Sequence, residues 1–363
     1  MSWTPRRQSV ATEGEEREMA ATPRWKNRPE GSNWGEFGAD DQLGRLNLLT
    51  PQKVKQGIAE VREGLVFNLS LPLDYPGGNK LNPRRHPPRL QPTLREGKPY
   101  YIYRMEQVVA GATDVACDDA VLIHLQYSTQ WDSLAHVGSM FDADGDGKPE
   151  PVFYNGFRGG DDIVEPSPEH PGVPGAKKLG MEHMAAKGVQ GRAVMIDLHH
   201  HFGDSPRKQV RYVDLMRVFE KDKVAVETGD MVCVHTGFAD MLLRMNREPD
   251  VNVLNASCAV LDATDQKLLQ WITDSGLSVL IADNYAVEER RWQLGADQHG
   301  HGPLLPIHEL CLFKLGIHLG EMFYLTALAK WLRTHQRYRV LLTAPPLRLP
   351  GAVGSPMCPV ATV

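Results

Sequence analysis

Four apolar segments separated by helical patterns constrain the fold of this chain most. They are RAVMIDL (192–198), DMVCVHTGF (230–238), LSVLIADN (277–284) and RVLLTAPPL (339–347), and each has the length and apolar character of a strand. Between them lie three stretches with helical periodicity, YVDLMRVFEK, DATDQKLLQWITDSG and LTALAKWLRTHQ. Strands with interposed helices predict an α/β fold, although their spacing is not regular enough to predict a doubly wound sheet.

The first hundred residues add one helix, one strand and one long loop. In TPQKVKQGIAEVREG, Thr50 is a helix cap, Pro51 takes the first helical position and Gly64 follows the end. LVFNLSLPL then alternates as a strand does. Residues 75–99 are rich in Pro, Gly, Arg and Lys, which predicts a long exposed loop of the kind that often forms a lid or an arm.

Composition narrows the possible partners and compartments. The 363-residue chain has a net charge of −5 and no long run of one sign, so neither a nucleic-acid groove nor an anionic-membrane surface is expected. No stretch approaches the ~20 apolar residues of a transmembrane helix. Residues 1–33 are polar and lack the apolar core of a secretory signal, which predicts an N-terminal extension followed by one domain over 34–363.

The cysteines indicate a reducing environment. There are five, at positions 117, 233, 258, 311 and 358, with no CxxC pair among them. This odd and scattered set argues against a disulfide scaffold and against a cysteine zinc site. We therefore expect a cytoplasmic protein.

The stretch QYSTQWDSLAH, residues 126–136, holds the most chemistry. Asp132 and His136 are four residues apart, and on a helical turn they would point the same way and give a cation two ligands. His308 precedes the helix-like run ELCLFKLG, and Glu321 follows in GIHLGEMFYL. Two imidazoles and two carboxylates suit Zn²⁺ or Mn²⁺. The long spacing also allows each of them to be an ordinary surface or capping residue.

This stretch resembles the signature His-x-Gly-Thr-His-x-Asp-x-x-x-His of the putative cyclase family, which includes bacterial kynurenine formamidases and isatin hydrolases. The similarity continues, in order, through WGEFGADDQLGRLNLLTPQKV, GRAVMIDL, GDMVCVHTG, LPIHELCLFKLGIHLGEMFYL and GSPMCPVATV. It covers approximately residues 34–363. The resemblance implies a swivelling β/β/α fold and a homodimer or homotetramer.

The resemblance also implies a set of metal ligands. The two histidines that help to hold a first metal in formamidase relatives correspond here to Gln126 and Gln130, and amide oxygens are poorer zinc ligands than imidazoles. The set that holds the second metal is complete. We therefore expect one divalent ion, zinc or manganese, held by Asp132, His136, His308 and Glu321.

The expected function is hydrolysis of a small carbonyl compound by metal-activated water. The substrate would be a cyclic amide or lactam, an N-acyl amide or an ester, and Asp132 and His136 would be catalytic, with His136 either a ligand or a general base. Gln126 and Gln130 would orient the substrate, bind a harder cation or hold the loop, and Trp131 would line an aromatic substrate or lie in the core. The alternatives are a polyketide-type cyclase or lyase, and a non-enzymatic small-molecule-binding protein.

Three other motifs are given lesser roles. DADGDG (142–147) begins like a calcium loop, but position 153, where a glutamate is needed, is a phenylalanine, so a tight acidic turn is expected. His299 and His301 lie in a glycine-rich segment and are left outside the metal shell. DNYAVE (283–288) resembles a family loop beside the pocket, in which Asp283 either supports the site or forms a turn.

Overall fold

A computed structural model describes residues 23–165, 175–289 and 302–363. Its centre is a nine-stranded sheet with the strand order β1-β9-β7-β3-β4-β5-β6-β2-β8. In chain order the strands are β1 (Val66–Asn68), β2 (Gln130–Asp132), β3 (Gln190–Asp197), β4 (Met231–His235), β5 (Val279–Ala282), β6 (His318–Glu321), β7 (Arg339–Thr343), β8 (Gly354–Pro356) and β9 (Val360–Thr362).

The four middle strands, β3 to β6, run parallel, and all the flanking pairs are antiparallel. Each parallel connection contains helical structure, as a crossover between parallel strands requires. The predicted α/β class is therefore confirmed. The antiparallel strands on both sides explain why the sequence lacks the regular alternation of a doubly wound sheet.

The α-helices in chain order are α1 (Pro51–Ile58), α2 (Met181–Lys187), α3 (Leu198–Phe202), α4 (Tyr212–Asp222), α5 (Phe238–Arg244), α6 (Val251–Ala256), α7 (Gln266–Asp274) and α8 (Thr326–Thr334). A further helical segment runs over Pro306–His308 and continues as a π-helix over Glu309–Lys314. Helix α1 starts as predicted, because the Thr50 side chain accepts a hydrogen bond from the Lys53 N–H. It ends at Ile58, earlier than the glycine at position 64 suggested.

The sheet buries apolar side chains on both faces. Successive residues of β5 point to opposite faces, so Leu280 lies in one hydrophobic core and Ile281 in the other. The same alternation applies to β2, where Trp131 lies in one core and its neighbours Gln130 and Asp132 face the other side. Strand pleating therefore presents two polar side chains together on one face.

The exposed loop predicted over residues 75–99 is partly wrong, because Tyr75, Leu81 and Asn82 are buried. From residue 89 to residue 122 the chain is mostly exposed and forms short strands. Three two-stranded ribbons follow one another: Arg89–Pro92 with Asp119–Leu122, Leu94–Arg95 with Lys98–Pro99, and Tyr103–Arg104 with Val115–Ala116. We call residues 89–122 the arm. The segment before it, residues 75–85, packs on the body of the molecule.

Residues 23–33 contact the domain that follows them. The Lys26 N–H donates to the Ala143 carbonyl, and the Trp25 ring packs edge-on against Trp34, with centroids 5.6 Å apart. Residues 1–22 lie outside the described ranges, so the boundary at residue 33 stays a prediction. None of the helices in the described ranges combines the length and the apolarity that a membrane crossing requires.

Candidate metal centre

The pairing of β2 with β6 brings the first polar residues together. In this antiparallel pair Gln130 lies opposite Glu321 and Asp132 lies opposite Leu319. Both β2 and β6 are completely buried. His308 reaches the same place from the helical segment before β6. One ligand atom from each of Asp132, His308 and Glu321 lies within 4.8 Å of the other two, so the structure assembles three of the four predicted metal ligands.

The His308 ring is fixed from both sides. Its Nε2 lies 3.3 Å from Glu321 Oε1, and its Nδ1 lies 2.7 Å from Glu288 Oε1. The Glu288 carboxylate also accepts hydrogen bonds from the backbone N–H groups of Ile307 and His308. Glu288 is fully buried and was not predicted from the sequence. A carboxylate behind a ligating imidazole is a common arrangement in metal sites, because it sets the ring orientation.

The Gln130 amide lies between the two carboxylates. Its Nε2 is 3.2 Å from Asp132 Oδ1 and 3.3 Å from Glu321 Oε2. Its Oε1 is buried and has no hydrogen-bond partner among the described residues. Turning the amide over would place this oxygen towards the carboxylates, which is favourable only with a cation between them.

This donor set fits a divalent cation. Donor atoms around a tetrahedral zinc lie about 3.3 Å apart, given bonds of roughly 2.0–2.1 Å. The separation of 3.3 Å between His308 Nε2 and Glu321 Oε1 matches that value. Two carboxylates, one imidazole and one orphaned amide oxygen are donors that zinc and manganese accept.

His136 lies beside this group and not within it. Its Nε2 is 3.8 Å from Asp132 Oδ1, and 22% of its side chain is exposed. Its Nδ1 is 3.2 Å from Gln126 Nε2. Asp132 ends strand β2 and His136 follows in a turn closed by its N–H on the Ser133 carbonyl, so the helical turn that the spacing suggested is wrong. Sheet pairing overrides the local pattern here.

Burial and neighbouring charges shift the pKa values strongly. Burial, followed by repulsion from Glu321, raises the pKa of Asp132 to about 8. Burial and the nearby cationic groups His308 and Arg85 lower the pKa of His136 to about 3, so this ring is neutral. Burial alone would lower the pKa of His308, but hydrogen bonds to Glu288 and Glu321 outweigh it and raise the pKa to about 10. Without an ion, Asp132 is therefore largely protonated at pH 7 and His308 is cationic, so a divalent ion that bound here would release these protons.

Residues 75–85, which we call the cover, pack against Gln126 and Tyr127 beside the centre. The Arg85 guanidinium donates to the Gln126 carbonyl at 2.6 Å and lies 5.9 Å from the centre of the Tyr285 ring. The Tyr127 hydroxyl accepts from the Gly77 N–H and donates to the Gly78 carbonyl. A narrow cavity runs between this cover, Gln126 and Tyr285. Arg85 was not predicted as a site residue, because in the sequence it is one of several basic residues of a loop.

Trp131 does not line the centre, contrary to one of the two roles predicted for it. Its side chain is fully buried on the opposite face of the sheet, where the indole N–H donates to the Ala344 carbonyl. The ring packs edge-on against Phe323, with centroids 5.5 Å apart. Side chains alternate along β2, so the indole points to the face opposite the one where Gln130 and Asp132 lie.

The DNYAVE loop lies beside the centre, because its last residue is Glu288, and the other motifs lie elsewhere or outside the described ranges. Asp142, in the DADGDG segment, accepts hydrogen bonds from the N–H groups of residues 145, 146 and 147, which is an acidic turn. Asp283 is buried and accepts from the N–H groups of Thr236 and Gly237. His299 and His301 lie outside the described residues.

Comparison with solved structures identifies the fold. A protein described as a novel cyclase superposes with a TM-score of 0.71 and 28% identity, over 92% of this chain and 97% of the other. Isatin hydrolase A from Labrenzia aggregata, bound to benzyl benzoate, gives a TM-score of 0.50 at 13% identity, over 85% and 97% of the two chains. An isatin hydrolase bound to the product analogue thioisatinate gives 0.50 at 14%, over 86% and 99%. The expected cyclase-like fold is confirmed.

Comparison of the sequence with curated proteins finds no match. The model of one protein family, described as "Putative cyclase", matches residues 67–289, which include strands β2 to β5, most of β1 and the QYSTQWDSLAH stretch. This match spans more than half of the chain. The chain therefore belongs to the putative cyclase family.

Proposed function

We propose that this chain is a metal-dependent hydrolase of a small carbonyl compound: a lactam, an N-acyl amide or an ester. The observation that carries the proposal is the convergence of Asp132, His308 and Glu321 on one buried point. One zinc or manganese ion per chain suits this donor set. Membership of the putative cyclase family and the fold shared with isatin hydrolases support the same class of reaction.

A divalent ion bound there would polarise a substrate carbonyl and make water a better nucleophile at neutral pH. The protein supplies the charge and the orientation. Asp132 and Glu321 provide the negative charge that holds a cation. Glu288 keeps the His308 ring aimed at them and makes its imidazole a stronger donor.

His136 is the candidate group for hydrogen-bonding the attacking water. It is neutral, partly exposed, and adjacent to Asp132. The Gln126 amide nitrogen contacts its Nδ1 and donates to it, so the proton of the neutral ring lies on Nε2, on the side of Asp132. Its pKa of about 3 makes this ring a weak proton acceptor, so its role is to orient water or substrate by donating from Nε2–H.

Arg85 supplies a positive charge at the cover. Hydrolysis of an amide or an ester generates a carboxylate, and a guanidinium binds carboxylates with charge-assisted hydrogen bonds. One of its N–H groups is already used on the Gln126 carbonyl, which fixes the side chain beside the centre. Arg85 is therefore the candidate group for holding the carbonyl oxygen or the carboxylate product.

The test is to purify the protein without chelator, measure its metal content, and assay carboxylate release from a panel of lactams, formamides and esters. We expect about one divalent ion per chain and activity that chelator abolishes. Asp132→Asn should lose both the ion and the activity. Asp161→Asn, an exposed carboxylate outside both groups that could hold a metal ion, is the matched control and should keep both. Metal-free protein with no activity, or an Asp132→Asn variant as active as the wild type, would overturn the proposal.

One observation favours the non-enzymatic alternative. The Gln130 amide nitrogen already contacts both Asp132 and Glu321, so a bound cation must displace or turn it. A protein that bound small carbonyl compounds but no metal would support that alternative. Ring closure without uptake of water, measured on the same panel, would instead identify a cyclase or a lyase.

A further inference from the structure

A second cavity lies on the face of the sheet opposite the metal centre. It has a volume of 570 Å³ and is bordered by the end of β3 and by the C-terminal ends of helices α4 and α8. Its lining includes Met195 and Leu332, which belong to the same hydrophobic core as Trp131, whereas Asp132 faces the other side. Small-molecule sites have volumes of about 300–1,000 Å³, so a ligand of that size fits there.

Positive charge prevails in the lining of this cavity. Four cationic side chains border it, against only two carboxylates, Asp197 and Asp222; the cations are Lys221, Lys223, Arg333 and Arg337. Both carboxylates already have partners, because Asp197 pairs with His235 and Asp222 with His201. They therefore do not neutralise the two lysines.

Three of the four cations have a structural role as well. Lys221 and Arg333 lie in the last turns of α4 and α8, where a cation complements the unpaired carbonyl groups of a helix end. Arg337 donates to the Glu60 carbonyl. Lys223 follows the last residue of α4, and its side chain forms no ion pair or hydrogen bond within the described ranges. Its charge therefore has no partner among the described groups around the cavity.

Lys223 also has a backbone conformation that lysine rarely adopts. Its φ of 54° and ψ of 37° lie in the left-handed region. Glycine is the usual residue where a helix ends in this way, because a side chain crowds the neighbouring carbonyl there. A glycine would suit the fold better, and what lysine adds is a long cationic side chain at the cavity. Residues held in such conformations are concentrated at ligand sites.

The rest of the cavity wall is largely apolar. Met195, Val224, Ala329 and Leu332 line it, and none of them is more than 8% exposed. Tyr338 adds a partly buried aromatic ring. An inorganic anion would contact the lysines but leave this wall without a partner. The lining therefore matches a molecule with a charged end and an apolar body.

We propose that this cavity binds a small organic anion, whose carboxylate or phosphate group contacts Lys221 and Lys223 and whose apolar part packs against Leu332. Charge-assisted hydrogen bonds from the two ammonium groups hold the charged end. Removal of the apolar part from water adds to the affinity. Because the metal centre lies on the opposite face of the sheet, the proposal does not depend on the hydrolase activity.

The test is calorimetric titration of the full-length protein, at low salt, with phenylpropionate and with phenylpropylphosphonate, a stable substitute for a phosphate ester. We expect saturable binding of at least one of them, and the tighter of the two identifies the charged group. The neutral phenylpropanol should bind at least about tenfold more weakly, the effect of losing a hydrogen bond between charged groups. Inorganic phosphate should also bind at least about tenfold more weakly, because it buries no apolar surface.

Lys223→Gly is the decisive variant. It removes the cation and supplies the residue that the left-handed position favours, so its resistance to urea should equal or exceed that of the wild type. We expect its affinity for the organic anion to fall by about tenfold or more. Lys221→Met should change the affinity in the same direction.

Lys187→Met is the matched control. Like Lys221, Lys187 is an exposed basic residue in the last turn of a helix, but that helix is α2 and the residue lies outside the cavity. This variant should bind the anion as the wild type does.

Three results would overturn the proposal. The first is a wild type that binds neither anion at millimolar concentration. The second is binding that both Lys223→Gly and Lys221→Met leave unchanged, which would place the anion elsewhere, and at the metal centre if Arg85→Met removes it. The third is equally tight binding of phenylpropanol or inorganic phosphate, which would exclude a site for a charged end and an apolar body together. None of these measurements involves turnover, so failure of the hydrolase proposal would not affect them.

Discussion

Glu288 accepts two hydrogen bonds from His308, one from its backbone N–H at 2.9 Å and one from its imidazole Nδ1 at 2.7 Å. This double contact fixes both the start of the helical segment and the direction of the ring. Nε2 is consequently the nitrogen that faces Asp132 and Glu321. Glu288 thus sets the orientation of the His308 ring, a candidate metal ligand twenty positions later in the chain.

The first prediction concerns Glu288→Gln. The change keeps the shape of the side chain but removes its charge, so the ring loses its fixed orientation and some basicity. We expect the affinity for zinc to fall by about 10- to 100-fold, measured by competition with a chelating dye. Glu289→Gln is the control, because that carboxylate pairs with Arg207 at 2.7 Å and not with a ligand. Equal affinities in the two variants would contradict the role of Glu288.

The second prediction concerns the combination Gln126→His and Gln130→His. The two imidazoles would surround Asp132, which can bridge two ions, and imidazole binds zinc much better than an amide oxygen. We expect uptake of a second zinc ion, measured by titration of wild type and variant at the same pH. Activity need not rise. An unchanged stoichiometry would show that the two glutamines are not what limits the centre to one ion.

The third prediction concerns Arg85→Met. Loss of the guanidinium removes a positive charge from the cover and its bond to the Gln126 carbonyl. We expect kcat/KM on a hydrolysed substrate to fall by about tenfold or more, since one hydrogen bond to a charged group contributes roughly 1.5–3 kcal/mol. Arg85→Lys should recover part of the loss. Arg84→Met, at the exposed neighbouring position, should behave as wild type; an equal loss there would point to an effect on the loop.

The fourth prediction concerns Asp197 and pH. Burial raises the pKa of this carboxyl, but the hydrogen bond and charge of His235, the His200 N–H and the charge of Arg333 together outweigh burial and lower the pKa to about 2, from an ordinary value of 3.8. A depressed pKa stabilises the folded protein above the ordinary value, and this stabilisation is lost as the pH falls towards 2. Its size is about 2 kcal/mol, at roughly 1.4 kcal/mol per pKa unit.

Asp197→Asn should therefore lower the free energy of unfolding by about 2 kcal/mol at pH 7, measured with urea in the presence of chelator. The difference from wild type should narrow below about pH 4, where the stabilisation by the carboxylate disappears. Asp144→Asn, in the exposed acidic turn, should change little at either pH. A difference that stays constant down to pH 2 would contradict this account of the Asp197–His235 pair.

The sequence predicts the central strands well, because their apolar runs are set by burial on both faces. β4, β5 and β7 lie within the predicted segments, and β3 begins two residues before its predicted segment. Residues 89–99 of the arm were predicted as part of an exposed loop, whereas residues 118–122 begin a segment, DDAVLIHLQYSTQ, that the sequence predicts as a strand. The strands Arg89–Pro92 and Asp119–Leu122 are exposed on both faces, so they show no alternation of burial that a sequence pattern could reveal.

The candidate metal ligands Asp132, His308 and Glu321 were predicted from their resemblance to a family signature and not from their spacing. Glu288 and Arg85 were missed, because each acts through a contact distant in sequence: twenty residues to His308 and forty-one to the Gln126 carbonyl. His136 was expected to share a helical turn with Asp132. The pairing of β2 with both β6 and β8 excludes that turn, because Asp132 is part of the sheet. Local patterns cannot encode such long-range pairing.

The burial of Trp131 has a consequence for the ligands on either side of it. A slip of β2 by one residue against β6 would turn the indole towards His308 and bury the side chains of Gln130 and Asp132 in the apolar core. The bond to the Ala344 carbonyl and the contact with Phe323 oppose that slip. Trp131 thus helps to fix the register of β2 against β6. The positions of the Asp132 and Glu321 carboxylates therefore depend on an aromatic side chain on the opposite face of the sheet.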